Sequence, residues 1–196
     1  LVTESKTEFS LFDETFMEEL SKMKEKNVAM ELLKRLLKEK IKKTKRQNVV
    51  QSEKFSDMLN DALNQYLKGM LTNEEVIKEL IELAKKMKEE EKAGEKLGLN
   101  EQEKAFYDAL SKPSVVAGLY TDEQFINFAK ELTEVLRKNC TIDWRHKEAG
   151  KAQMRVLIKR QLKKHGYPPE GKQEALDYVM AQCDSWADNE DNITED

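Results

Sequence analysis

Residues 141–169 read TIDWRHKEAGKAQMRVLIKRQLKKHGYPP, and this stretch decides the fold class. Its apolar residues recur at three- and four-residue spacing, which is typical of an α-helix and does not fit the period of two that a strand requires. The start carries helix-capping residue types, and the end carries Gly166 followed by two prolines, which is an ordinary stop signal. The stretch therefore predicts a helix that begins at Thr141 or Asp143 and ends at Gly166.

The same helical spacing continues through the rest of the chain, and no segment of useful length alternates with period two. Thr72, Asn100 and Thr121 are each followed three residues later by Glu or Gln, which is the capping-box pattern of a helix start. We therefore predict an all-α protein, a compact multi-helix domain of about eight helices, and we leave open whether a break near residues 47–50 separates two of them. The other four helices are predicted near residue 13, over 28–45, from about 52, and over 171–186.

The domain organisation follows from where charge and glycine accumulate. We predict a single helical domain over residues 1–187. Residues 89–98 are charged and hold two glycines, so they are the candidate hinge. Residues 188–196 hold five acids and no base, and we predict that they form a disordered tail. The side chains predicted to be buried in the core are Leu33, Leu80, Phe106, Phe128 and Leu132.

Composition sets further bounds. Of the 196 residues, 37% are charged and 39% are hydrophobic, and because the apolar residues are periodic, charge-laced helices explain this better than disorder does. No apolar run approaches the length of a membrane span, and no signal peptide is visible, so we expect no membrane partner and a cytoplasmic location. Because residue 1 is Leu rather than Met, we expect an excised piece of a longer chain rather than a trimmed terminus.

Sequence patterns of catalysis are missing. The chain contains neither the glycine–lysine loop of a nucleotide-binding P-loop nor the glycine pattern of a dinucleotide site. His146 and His165 do not stand at metal-ligand spacing from Cys or acidic residues, and no set of residues suggests an activated nucleophile. We therefore predict that this chain by itself catalyses nothing and holds no cofactor and no metal.

Two predicted helices carry a strong excess of bases. Residues 34–46 and residues 145–165 each hold eight bases and one acid, a net charge of +7 in each case. The overall charge of −4 argues against a protein that coats DNA. A solvated face is the ordinary explanation of such a helix, and binding to a partner is the alternative. The candidate partner-binding residues are Lys147, Lys151, Arg155, Lys159, Lys163, Lys38, Lys42, Lys45 and Arg46.

The first five of these bases form a ladder at four-residue spacing. Like charges at this spacing on a helix cost roughly 0.2–0.5 kcal/mol for each step, so some negative charge is expected to offset the repulsion. The acids of the fourth helix, the phosphates of DNA and an acidic protein surface are the three candidates; the first set is Glu74, Glu75, Glu79 and Glu82. Apolar residues lie on both sides of the ladder, so we predict a helix buried between neighbours; they are Ala149, Ala152 and Val156 on one side and Met154, Ile158 and Leu162 on the other.

Two ordered pairs of motifs carry a family resemblance. LGL at 97–99 is followed by AFYDAL at 105–110, and TIDW at 141–144 is followed by YPP at 167–169. With them the chain resembles, over residues 11–183, the C-terminal helical region of the restriction (R) subunit of type I restriction–modification enzymes. The other stretches that carry the resemblance are KNVAMELLKRLL at 26–37, NVVQSEKFSDML at 48–59 and EEVIKELIELAKKM at 74–87.

The resemblance implies a function that composition alone does not. The parent subunit is similar to an ATP- and Mg-dependent, DNA-translocating endonuclease whose nuclease and motor domains precede this region. In that family the C-terminal helical region is associated with docking onto the methyltransferase core of modification and specificity subunits, and no catalytic residue carries over to this chain. Two alternatives remain: an accessory domain whose basic helices contact DNA, and a structural brace on the subunit's own motor domains.

Overall fold

The structure, a computed structural model, describes residues 13–140 and 143–193. Within these residues it contains eight α-helices and no strand, so the predicted all-α class is confirmed. Three short 3-10 turns lie at Ser114–Val116, Trp144–His146 and Pro169–Gly171. The helices are α1 (Glu14–Lys22), α2 (Lys26–Gln47), α3 (Val49–Leu67), α4 (Asn73–Lys96), α5 (Glu101–Ser111), α6 (Asp122–Asn139), α7 (Glu148–Lys164) and α8 (Lys172–Ile193).

Three of these helices begin at the capping boxes that the sequence predicts. At the start of α6, the Thr121 hydroxyl accepts a bond of 3.2 Å from the Gln124 amide, and the Gln124 side chain accepts one of 2.8 Å from the Thr121 amide. The same reciprocal pair forms at Asn100 and at Thr72. These bonds satisfy backbone donors that the first turn of a helix leaves unpaired.

Three boundaries differ from the sequence prediction. Only Asn48 separates α2 from α3, so these are two helices with a break of one residue between them. Helix α4 continues to Lys96 through most of the segment 89–98, and a hinge there stays a prediction. Helix α8 runs to Ile193, beyond its predicted end at Trp186, and so takes up much of the segment predicted as an acidic tail.

The predicted start of α7 is wrong. Thr141 lies outside the described residues, and α7 begins only at Glu148, after the 3-10 turn that contains Trp144. The Trp144 side chain is buried, and this turn brings the Trp144 backbone against Gly150. A Cβ atom at residue 150 would lie 2.4 Å from the Trp144 carbonyl oxygen, so the turn requires glycine there.

Gly150→Ala is therefore expected to destabilise the chain. At a helix position with free space around Cβ, the same change would stabilise the folded chain by up to about 1 kcal/mol. Here the added methyl group must displace the backbone of Trp144, which costs roughly 1–3 kcal/mol. Urea unfolding followed by tryptophan fluorescence measures the difference. Gly94→Ala is the matched control, because its Cβ would come no nearer than 3.3 Å to the Leu99 oxygen. A variant at 150 that is more stable than the parent chain would contradict this packing.

Contacts within the chain divide it into two compact units. The first unit consists of the described residues within Leu1–Lys43 and Ser52–Ala93. The second unit consists of those within Thr44–Gln51 and Gly94–Asp196. In the first unit α2 and α4 run in the same direction, because Asn27 contacts Asn73 at 3.3 Å near their starts and Lys40 contacts Glu91 at 2.5 Å near their ends. Leu33 and Leu80 are buried in the core of this unit, as predicted.

The core of the second unit lies among α5, α6, α7 and α8. The predicted core residues Phe106, Phe128 and Leu132 are all buried there, which confirms the prediction. Tyr167, in the turn after α7, is also buried, and its hydroxyl donates a 2.5 Å hydrogen bond to the Leu110 carbonyl. This bond ties the end of α7 to α5 and helps to fix which face of α7 points outward.

Candidate functional site

Helix α7 has one buried face and one exposed face. Met154, Ile158 and Leu162 lie in the core of the second unit. The apolar residues on the opposite side are exposed, namely Ala149, Ala152 and Val156, and the Val156 side chain is 53% exposed. The prediction of a helix buried between neighbours is therefore wrong, because the described residues cover only one of its two apolar sides.

Bases border this exposed apolar stripe. At 100° per residue, Arg155 and Lys159 lie along one edge of the stripe and Arg160 lies along the other. Lys163 follows Val156 by seven residues and so continues the line of the stripe. All four are exposed. We define the outward face of α7 as the apolar stripe with these bases: Ala149, Ala152, Arg155, Val156, Lys159, Arg160 and Lys163.

The ladder divides into paired and unpaired bases. Lys147 precedes α7 and lies 3.6 Å from the Asp143 carboxylate, while Lys151 lies 3.7 Å from that of Glu148. Among the side chains that the structure describes, none forms an ion pair with Arg155, Lys159 or Lys163. The ladder's described ion pairs are thus local ones. Three pairs of like-charged neighbours at four-residue spacing remain within α7, and their repulsion destabilises the helix by roughly 0.6–1.5 kcal/mol in total.

The C-terminal end of α7 is bound to α6. Lys164 and His165 both contact the Glu131 carboxylate, His165 at 2.9 Å, and the His165 ring stacks on Phe128 with 4.1 Å between centroids. Hydrogen bonds from Lys164 and His165 hold the pKa of Glu131 below its ordinary value. These two side chains therefore serve the chain's own packing, and the exposed bases of the outward face precede them along α7.

The candidate bases of α2 are placed differently. Lys38, Lys42, Lys45 and Arg46 are exposed, and one acid, Glu39, lies among the bases of this segment. Arg35 pairs with Glu39 at 3.3 Å on the same helix. The division between the two units also crosses α2, so Lys38 and Lys42 belong to the first unit and Lys45 and Arg46 to the second. The structure thus shows no single apolar stripe bordered by bases on α2 comparable to that on α7.

Two of the four candidate acids of α4, Glu75 and Glu82, are engaged locally. Glu75 caps its own helix start, and hydrogen bonds from Thr72 lower its pKa. Glu82 lies 3.2 Å from Lys85. The contacts of these two acids give no support to the first of the three candidates, in which the acids of α4 offset the charge of the ladder.

Sequence reasoning missed a buried polar cluster in the second unit. The Asp108 carboxylate, only 7% exposed, accepts bonds from Asn48 at 2.7 Å, from Gln51 at 3.1 Å and from Lys104 at 2.6 Å. The one sequence feature that could have indicated this cluster was an acidic residue placed between the core residues of α5. We call these four residues the Asp108 cluster, and it holds the break between α2 and α3 against α5.

Gln182 completes the same junction from α8. Its buried amide accepts a 2.8 Å bond from the Val49 backbone and donates one of 3.1 Å to the Gln47 carbonyl. A break in a helix leaves backbone groups of this kind without partners, and burying them without partners would be costly. The side chain of Gln182 therefore explains how the one-residue break is tolerated inside the protein.

Metal-binding clusters and membrane-spanning helices are absent from the part of the chain that the structure describes. Over 13–140 and 143–193, no three His, Cys, Asp or Glu side chains are grouped so that they could hold a metal ion. None of the described helices combines the length and the apolar character that crossing a bilayer demands.

Comparisons with known proteins give a consistent result. A profile of the family described as type I restriction enzyme HindI endonuclease subunit-like, C-terminal, matches residues 1–189. The type I restriction enzyme HindI endonuclease subunit of Haemophilus influenzae is 47% identical over 96 residues, which are 49% of this chain and 9% of that relative. The chain therefore corresponds to a small part of the relative's length. No solved structure matches the chain.

Proposed function

Because the chain belongs to the family of C-terminal regions of HindI-like type I restriction endonuclease subunits, we propose that it docks its endonuclease subunit onto the methyltransferase core of modification and specificity subunits. In this proposal the nuclease and motor activities, which are similar to those of an ATP- and Mg-dependent enzyme, reside outside these residues. The chain itself contributes binding and no chemistry.

One observation carries the proposal, the outward face of α7. It combines an exposed apolar centre with bases that have no ion-pair partner among the described side chains. Protein interfaces have this arrangement, with an apolar centre that is removed from water and a polar rim that gives orientation and speed of association. The face therefore supports docking on a protein surface that carries acids.

DNA contact is the second candidate function. The unpaired bases Arg155, Lys159 and Lys163 favour it, since phosphates would neutralise them equally well. DNA would leave Val156 and the alanines facing a charged backbone without apolar contact, which is why we place the protein dock first. A structural brace on the motor domains is the third candidate function, and it does not require that anything binds to the outward face of α7.

Charge reversal on the outward face of α7 tests the proposal. In the full-length subunit, Arg155→Glu with Lys159→Glu and Lys163→Glu should leave folding intact, because exposed charges contribute little to stability. We expect its dissociation constant for the methyltransferase core to rise about 100-fold, which corresponds to roughly 1 kcal/mol for each reversed charge. The matched control reverses Lys38, Lys42 and Lys45 on α2, with the same change of charge.

The salt dependence of binding separates the two candidate partners. Phosphate contacts make affinity fall steeply with salt, with a log–log slope near −0.9 for each neutralised phosphate, and a protein dock with an apolar centre responds less. Normal binding to the core by the α7 triple variant would overturn the proposal. If that variant instead bound DNA more weakly, with a reduced salt slope, the second candidate would replace the first.

The proposal also predicts that the purified chain neither hydrolyses ATP nor cuts DNA. The sequence contains no P-loop, and the described residues bring together no metal-binding group of acids. A phosphate-release assay and a plasmid-nicking assay with Mg²⁺ measure the two activities. Activity that copurified with the chain and was lost on substitution of one of its own residues would contradict the assignment of binding alone.

A further inference from the structure

We infer that the outward face of α7 receives an acidic amphipathic α-helix of the methyltransferase core, packed along α7 rather than crossing it at one point. This inference rests on the proposed docking function and specifies the element that α7 meets. It follows from the size of the residues at the centre of the face, from their spacing and from the placement of the bases.

The residues at the centre of the outward face are small. Ala149 and Ala152 have no side-chain atom beyond Cβ, and Val156 is the largest apolar residue of the stripe. Packed helices approach to about 8–10 Å between axes, and small side chains at the contact allow the shorter distances. The spacing of three and four residues keeps these positions on one line along α7, so a second helix can follow it.

The length of the stripe also suits a helix. From Ala149 to Lys163 the face extends over about 21 Å at 1.5 Å per residue, which is roughly four turns of a partner helix. A single inserted side chain would cover only part of this length, and an extended segment could span it but would present side chains at a period of two that does not match the three- and four-residue spacing of the stripe. The exposed Val156, near the middle, then provides the main apolar contact.

The bases define the charge of the partner helix. Arg155 and Lys159 lie along one edge of the stripe and Arg160 along the other, while Lys163 closes its C-terminal end. A partner with an apolar stripe bordered by Asp or Glu on both sides would pair with bases at both edges. Such pairing also removes the repulsion within α7, which no described side chain offsets for Arg155, Lys159 and Lys163.

Enlarging the centre of the face tests this inference. Ala152→Trp in the full-length subunit places a large ring where two helices would meet, so the dissociation constant for the methyltransferase core should rise at least 30-fold. Ala149→Trp, one turn earlier, is the second variant and should act in the same direction. The matched control is Ala117→Trp, at an exposed alanine in the loop between α5 and α6, and it should bind normally. Thermal unfolding of each variant confirms that it is folded.

The outcomes separate this inference from the proposed function. If charge reversal weakens binding while both folded tryptophan variants bind normally, docking stands and close helix packing is wrong. If neither change weakens binding, the proposed function itself fails. If binding falls for both tryptophan variants but not for the control, a closely packed partner along α7 is supported.

Discussion

Replacing Phe106 with alanine is expected to destabilise the chain by about 3–5 kcal/mol. Phe106 is only 1% exposed in the core of the second unit, and its ring meets that of Trp186 edge-on, with 4.9 Å between centroids. The substitution removes this apolar contact area and leaves a cavity that the surrounding helices fill only in part. The expected loss is large compared with the total stability of a typical domain.

Tryptophan fluorescence measures this effect selectively. Both tryptophans of the chain, Trp144 and Trp186, belong to the second unit, so their emission reports unfolding of the unit that contains Phe106. Phe106→Leu is the control, because it keeps most of the apolar volume and should cost less. A loss below roughly 1 kcal/mol for the alanine variant would mean that Phe106 is not a core residue.

Asp108→Ala is expected to have a comparable effect, about 3–5 kcal/mol, through a different mechanism. The change removes the carboxylate from the Lys104 ammonium, whose side chain is only 12% exposed, and from the amides of Asn48 and Gln51. The amides of Asn48 and Gln51 lose this acceptor while they remain largely desolvated, and the Lys104 ammonium loses the carboxylate that lies 2.6 Å from it. A hydrogen bond to a charged group costs more to lose than a neutral one.

Two controls distinguish the buried charge from the hydrogen bonds. Asp108→Asn keeps one acceptor oxygen and should lose less stability than the alanine variant. The double variant Lys104→Met with Asp108→Leu should also be more stable than Asp108→Ala, because it leaves no buried charge. Fluorescence-detected urea unfolding again gives the free energies. If Asp108→Ala unfolded like the parent chain, the Asp108 cluster would not hold the junction.

Local patterns predicted the features that local interactions determine. Capping boxes placed three helix starts, and helical spacing identified Leu33 and Phe128 as core residues. The start of α7 was not predictable in this way, since it depends on the Trp144 turn packing against Gly150. The Asp108 cluster was missed for a different reason, because its partners Asn48 and Gln51 lie 60 and 57 residues away in the sequence.

The candidate site shows a different limit of prediction from sequence. The sequence correctly showed that α7 has apolar residues on two sides, but a pattern of apolar residues does not say which neighbour covers them. Met154 and Ile158 are covered by the chain's own core, whereas Ala152 and Val156 are exposed. The same pattern that predicts a buried helix therefore becomes evidence for a docking surface once the structure shows which side is open.

Lysine acetylation in the assembled enzyme, read by mass spectrometry, tests the central claim most directly. The rates at Lys159 and Lys163 on α7 are compared between the free endonuclease subunit and its complex with the methyltransferase core, with Lys38 and Lys42 on α2 measured in the same samples. The account predicts that the complex protects Lys159 and Lys163 and leaves the two α2 lysines as reactive as before. Unchanged reactivity of Lys159 and Lys163 in the complex would contradict it.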